Sequence, residues 1–287
     1  MAQREKDIYD YQIGLEDAKI SNEDKHFFDI TGYLVLNDLL STDQLSDARS
    51  RLANALDSSK SAKTQVGKLA RERRQIIELG GVLEDAMALP PVLEYITQFI
   101  WGRQFRLVGS RAIINGPDAS RQLSPGSRED SRRFAAYRCF GDGQFRCLML
   151  TCMITLHDTM VTDGAFCCIP SSHKANLPHP YQQTPLDQIP PLRNLPLTAG
   201  SAVLITESLS HALRTSSENE KLWLAYHYGP SYMVDLPGCS TTDKLQNRCD
   251  HDRTKAHLLQ APYYHPSGAQ KIRKEGNTKN ENVEKEQ

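Results

Sequence analysis

What the sequence lacks narrows it first. No apolar run approaches the ~20 residues that a membrane-spanning helix needs. The opening residues, MAQREKDIYDYQIG, carry neither the apolar core of a secretory signal nor the Arg- and Ser-rich amphipathic pattern of a transit peptide. Charge of one sign is missing as well: 34 Lys and Arg face 35 Asp and Glu in 287 residues. No net field therefore draws the chain onto nucleic acid or an anionic membrane, which leaves a small molecule or a protein as the expected partner. The seven cysteines form no C-x-x-C pair, the spacing that zinc sites use. Cys139, Cys147, Cys152, Cys167 and Cys168 fall in apolar, strand-like stretches and read as reduced core thiols of a cytoplasmic protein. Finally, no histidine lies between His26 and His157, so that stretch offers no imidazole for catalysis or metal binding.

What is present describes a folded chain. With 39% apolar and 24% charged residues, it has material for one large core with an appended helical layer. Residues 1–20 carry little apolar patterning and are expected to form an N-terminal arm. From Ser21, SNEDKHFFDITGYLVLNDLL reads as a capped short helix, a turn at Gly32 and a strand over YLVL. Ser41 and Thr42 offer the N-cap of a second helix, in which Leu45, Ala48, Leu52, Ala53 and Leu56 recur at helical spacing. A third helical stretch, Val82 to Ile100, is interrupted by Pro90 and Pro91, which mark a new helix start. The cluster KLARERRQ, with Arg71, Arg73 and Arg74 beside Glu72, reads as a solvated helix face. After Trp101 the pattern turns to short strands: RLVGSRAII, FRCLMLTCMITL, AFCCIP, AVLITES and LWLAYHYGP. The turn GDGQ, Gly141 to Gln144, reads as a hairpin connection. The tail from Pro266 has almost no apolar residue and is expected to be disordered.

Four segments, in order, carry a resemblance. FFDITGYLVLNDLLSTDQLSDARSRL looks like a first helix, first strand and second helix; DTMVTDGAFCCIPSSHKANLPHP like an aspartate, a glycine turn and an Ile/Val-Pro-Gly-Ser-His-Lys segment. LPLTAGSAVLITESLSHALRTS looks like an Ala-Gly-Asp turn, an apolar strand and a metal-ligand histidine, and AYHYGPSY like a closing Tyr-x-Tyr-x-Pro strand. Together they resemble the phytanoyl-CoA dioxygenase-like family of iron(II)- and 2-oxoglutarate-dependent oxygenases, from Lys25 to Tyr232. The resemblance implies a mainly β fold with an α layer: a double-stranded β-helix, or jelly-roll barrel of the cupin kind, flanked by N-terminal helices. Its domain would run over 21–265, with helices in 21–101, the barrel in 102–235 and a tail in 266–287. It also implies iron(II) held by two histidines and a carboxylate, leaving three positions for 2-oxoglutarate and dioxygen. A basic side chain would anchor the distal carboxylate of the co-substrate, and the substrate would be a small molecule.

On that resemblance His211 matches the second histidine ligand. The family's first ligands, a His-x-Asp/Glu pair or in one branch a His-Gly-Gly-like segment, fall where this chain reads DASRQLSPGSREDSRRF. By position Leu123, Ser124, Pro125 and Gly126 occupy the histidine segment. Asp118, Glu129 and Asp130 can offer a carboxylate, with Asp130 the metal-ligand candidate, although such residues are usually solvated surface acids. His157 and Asp158 are adjacent, point to opposite faces of a strand and cannot share an ion; Asp158 matches the family's turn aspartate. His173 and His227 read as packing or hydrogen-bonding residues. In place of the family's arginine stand Lys221, ten positions beyond His211, and Arg214, three beyond. A lysine lacks the planar fork that grips a carboxylate. Two functions stay open: an iron(II)/2-oxoglutarate dioxygenase hydroxylating a small molecule, or a degenerate, non-catalytic binding or regulatory module.

Overall fold

A computed structural model of the chain describes residues 20–57, 71–100, 104–116, 123–124, 136–140, 144–175, 177, 179–181, 183–216 and 220–263. The expected tail, residues 1–19 of the expected arm, and Asp118, Pro125, Gly126, Glu129 and Asp130 lie outside them.

The first helix, α1 (Asn22–Thr31), is capped by the Ser21 hydroxyl, which accepts from the Asp24 N–H at 2.9 Å. It stops at Gly32, whose φ of 82° is open to glycine at little strain. Strand β1 (Tyr33–Leu36) follows, then α2 (Thr42–Asp57), which buries Leu45, Ala48 and Leu52 and leaves Ala53 exposed. The basic cluster is a strand, β2 (Arg71–Arg74), and not a helix face. It adds an edge to β3 (Phe105–Asn115), so ladder hydrogen bonds override the helix propensity of Arg and Glu. A helical turn α3 (Val82–Asp85), a 3-10 turn and α4 (Pro90–Phe99) follow, with the prolines in the first turn of α4, where no backbone donor is lost.

The remaining strands are β4 (Tyr137–Cys139), β5 (Phe145–Cys147), β6 (Leu150–Thr155), β7 (Phe166–Cys168), β8 (Arg193–Leu195), β9 (Ala202–Thr206), β10 (His211–Leu213) and β11 (Lys221–Pro230). FRCLMLTCMITL is thus two strands in two sheets: β5 pairs with β4, and β6 enters the main sheet. The main sheet has the antiparallel order β1-β9-β6-β11-β3-β2; a second has the order β10-β7-β8. Hydrogen bonds do not join the two sheets into a closed barrel among the described residues.

Strand alternation sorts the main sheet into two faces. On β11, Leu224, Tyr226 and Tyr228 join the core beneath the helices, where the two tyrosine hydroxyls donate to the carbonyls of Leu83 and Met87 at 2.8 Å. Trp223 and Ala225 face the other way. With Met153, Val203 and Ile205 they pack against Phe166, Cys168 and Leu213 of the second sheet, forming the apolar filling between the sheets. Six of the seven cysteines are buried and free; Cys139 is exposed.

Helices α5 (Asp243–Cys249) and α6 (Arg253–Leu258) return to α3, where Glu84 pairs with Arg248 at 2.5 Å and Lys255 at 2.9 Å. Arg106, 1% exposed, fixes the chain before them through Asp235 at 2.6 Å and the Met233 carbonyl at 3.0 Å, and the chain after them through the Gln260 carbonyl at 2.8 Å. The segment so anchored crosses one end of the sandwich. Gly109 admits it, because a Cβ there would lie 3.1 Å from Leu236 Cδ1 and 3.2 Å from Cys239 Sγ.

Candidate ligand site at the mouth of the sheets

At that end the inner face of the main sheet turns from apolar to polar. Thr151, Arg111 and His227 stand on β6, β3 and β11, with His227 opposite Thr151 and Gly109 in register, and Arg111 opposite Ala225. They share a cavity of about 410 Å³ with Arg74, Ser124, Met149, Glu207 and His211, walled by the segment from Leu236 to Cys239; Thr151 lies in its continuation. Such a size suits a small organic ligand.

Histidine 211 does not end an apolar strand. The strand β9 stops at Thr206, and the turn 207–210 carries the chain into the second sheet, where His211 opens β10. Its ring stacks on Phe166 with centroids 5.6 Å apart, and Nδ1–H donates to the Leu209 carbonyl at 2.8 Å. In the neutral ring this leaves the lone pair on Nε2.

Ser124 lies beside it. Leu123 is buried against Cys167 and Ala212 on the outside of the second sheet, and the Ser124 N–H donates to the His211 carbonyl at 2.8 Å. Ser124, which the sequence resemblance aligns with the family's first-histidine segment, therefore stands next to His211.

Glu207 and His227 form a coupled pair. The Thr151 hydroxyl donates to Glu207 Oε1, so Thr151 Oγ accepts the Nδ1–H of His227 at 2.8 Å, and Oε1 lies 3.5 Å from the same nitrogen. Burial disfavours the charged carboxylate, yet the His227 hydrogen bond, the His211 and His227 charges and the Thr151 hydroxyl outweigh it. The Glu207 carboxyl is held well below the usual range. Burial, reinforced by the Arg111 charge, outweighs Glu207 at His227 and lowers its pKa, so His227 is neutral near pH 7. Its Nε2, in a residue 1% exposed, has no hydrogen-bond partner among the described residues. Nor has Arg111 Nε, while Arg111 Nη1 reaches Glu72 at 3.5 Å. Glu72 is drawn more tightly to Arg74, at 2.6 Å, and Arg74 also donates to the Pro237 carbonyl at 3.0 Å.

The other residues singled out from the sequence go elsewhere. Lys221 pairs with Asp163 at 2.9 Å and donates to the Asp158 carbonyl at 2.7 Å. Arg214 is held by Asn194 and Asp187, both at 2.5 Å. Neither cation lines the cavity, because each is drawn to a nearby acid at the opposite end of its strand. Asp158 fastens a turn by accepting from the Ala199 N–H at 2.8 Å. His173 Nε2 donates to the Asp29 carbonyl at 3.1 Å. Sequence reasoning missed Glu207, Arg111 and Thr151 as site residues, and read His227 as a packing or hydrogen-bonding residue. A glutamate closing the apolar run AVLIT, four residues before His211, was the available signal for the first.

A facial iron site needs three converging ligands. Among the described residues no group of three His, Cys, Asp or Glu converges to hold an ion. Glu207 already accepts from Thr151, and the position beside His211 is a serine. These residues do not fit the two-histidine, one-carboxylate centre.

Two antiparallel sheets with histidines at one polar mouth agree with the mainly β architecture that the sequence resemblance implied. The phytanoyl-CoA dioxygenase (PhyH) model matches residues 28–219, about two thirds of the chain, and the protein belongs to that family. A comparison with curated proteins by sequence finds no match. Among solved structures, HygX from Streptomyces hygroscopicus, with nickel and 2-oxoglutarate bound, superposes with a TM-score of 0.66 at 22% identity, over 78% of this chain and 94% of its own. The α-ketoglutarate-dependent carbocyclase SnoK from nogalamycin biosynthesis gives 0.55 at 15% identity, over 76% and 89%. The α-ketoglutarate-dependent epimerase SnoN from the same biosynthesis gives 0.53 at 16% identity, over 77% and 86%. These likenesses establish a shared fold. Among the described residues no helix is long and apolar enough to cross a membrane.

Proposed function

We propose that this protein is a small-molecule-binding member of the family, folded as the double-stranded β-helix, whose mouth works without the family's iron centre as a non-catalytic binding or regulatory module. The observation that carries this reading is the hydrogen bond from the Ser124 N–H to the His211 carbonyl. Ser124, which the resemblance aligns with the first-ligand segment, stands alongside His211, and a serine hydroxyl is a poor substitute for imidazole at iron(II). The engagement of Lys221 and Arg214 with other acids supports it further, since the co-substrate loses its anchor. A small-molecule partner is supported by the cavity and by HygX, solved with hygromycin B bound.

The competing reading is an iron(II)/2-oxoglutarate dioxygenase. HygX with iron and SnoN with Fe3+ and α-ketoglutarate favour these cofactors, and two histidines and a carboxylate, His211, His227 and Glu207, do line one cavity. Metal analysis of protein purified without chelator, with a 2-oxoglutarate turnover assay, separates the two. The metal-free reading expects substoichiometric iron and turnover at background. Stoichiometric iron, with turnover abolished by His211→Ala, restores the oxygenase.

A further inference from the structure

The mouth holds two buried polar atoms of opposite character without partners among the described residues. His227 Nε2 is an acceptor, because Nδ1 carries the proton given to Thr151 Oγ. Arg111 Nε is a donor. Buried polar atoms in folded proteins are almost always satisfied, and two exceptions of opposite character lining one cavity call for a partner within it, a water, an ion or a ligand. The register makes the two neighbours: His227 faces Gly109 and Ala225 faces Arg111, so Arg111 and His227 are diagonal partners on adjacent strands, about 7–8 Å apart at the backbone and within reach of long side chains. Both line the same cavity.

We propose that this mouth binds a small hydroxy acid, with Arg111 taking the carboxylate and His227 Nε2 accepting the proton of a hydroxyl on a neighbouring carbon. The proposal rests on the metal-free reading above. A guanidinium offers a carboxylate two parallel donors, and Glu72, tied to Arg74, holds Arg111 weakly enough to be displaced. The partner of a neutral imidazole lone pair must be a donor. A ketone oxygen there would set lone pair against lone pair, so the site discriminates a hydroxy acid from the keto acid of the same skeleton. Sites built to hydrogen-bond a hydroxyl reject analogues that lack it strongly, because the buried group is then left unpaired.

The test is calorimetric titration of the full chain, in EDTA, with 2-hydroxyglutarate, 2-oxoglutarate and glutarate. The expected result is at least tenfold tighter binding of 2-hydroxyglutarate than of the other two. Arg111→Gln, at a partly exposed position that folding tolerates, should weaken 2-hydroxyglutarate by at least tenfold. His227→Gln should narrow the preference over 2-oxoglutarate, with thermal unfolding reporting its fold; if it does not fold, the ligand comparison and Arg111→Gln decide. Equal binding of all three acids, undiminished binding by Arg111→Gln, or no binding at millimolar concentration each overturns the hydroxy-acid site and leaves the metal-free reading standing. Binding of 2-oxoglutarate that appears on replacing EDTA with iron(II) overturns both.

Discussion

Restoring the missing ligand tests the mouth most directly. The 2.8 Å hydrogen bond from the Ser124 N–H to the His211 carbonyl makes the two residues backbone neighbours. Imidazoles rooted that close can share one ion at metal–nitrogen distances of about 2.0–2.1 Å. The existing ring is prepared for it, since its Nδ1–H is committed to the Leu209 carbonyl and its Nε2 is the free lone pair. Loss of a mere outer-shell partner changes metal affinity by about 10–100-fold, so a new direct ligand should contribute at least as much. Ser124→His is therefore expected to raise cobalt(II) affinity by at least about tenfold, or about 1.4 kcal/mol. Gly126→Asp, which with Ser124→His recreates the His-x-Asp spacing that the resemblance implies, should add a further gain of similar size. The assay is cobalt(II) titration followed by absorbance, with calorimetry for wild type and both variants. No gain in variants that keep the wild-type thermal transition would refute the placement of this segment against the mouth.

Three further outcomes follow from the packing and charges. Trp223, fully buried between the sheets, should cost about 3–5 kcal/mol on Trp223→Ala, read from urea denaturation. Arg106→Ala should cost about 3–5 kcal/mol in the same assay, because Asp235 and two carbonyls lose a buried cation. Acid should weaken the protein in two stages. The depressed His227 pKa means that its share of stability is complete above the unfolded histidine value of about 6.5 and declines as pH falls below it. The depressed Glu207 pKa means that its share is complete above about 4.3 and is lost as pH falls through the lower folded value. Urea midpoints at pH 7.5, 5.5 and 4 check this: Glu207→Gln should differ from wild type most at pH 7.5, and an unchanged gap at low pH would contradict it.

The sequence made some of this legible because the signals were local. Ser21 and Gly32 bracket α1, Pro90 opens α4, and the apolar runs of β3, β9 and β11 exceed any loop. Arg71 to Arg74 misled because four charged residues make a strand only when β3 offers an edge, a long-range fact. β8 and β10 escaped as strands because three residues show no periodicity. Lys221 and Arg214 suggested an anchor because spacing from His211 was the available measure, while Asp163 and Asp187, which capture them, are distant in sequence. The cluster of Arg111, Thr151, Glu207 and His227 needed the register of three strands and a turn, which no single segment encodes.

The hydrogen bonding of Glu207 explains why a histidine and a carboxylate at one mouth need not amount to a metal site. A buried carboxylate is tolerable only when donors or cations compensate its lost hydration. Here Thr151 and His227 do so at Oε1, and an ion bound through that oxygen would have to compete with them. Thr151→Val removes one donor and leaves Oε1 less satisfied, at nearly constant volume. Combined with Ser124→His it should raise cobalt(II) affinity beyond Ser124→His alone if Glu207 is the carboxylate that completes the site. Adding Gly126→Asp to that pair would then bring little more. If Thr151→Val instead changes nothing while Gly126→Asp gives the full gain, Glu207 is a hydrogen-bonded wall of the pocket, and the reconstructed centre uses the 124–126 segment with His211.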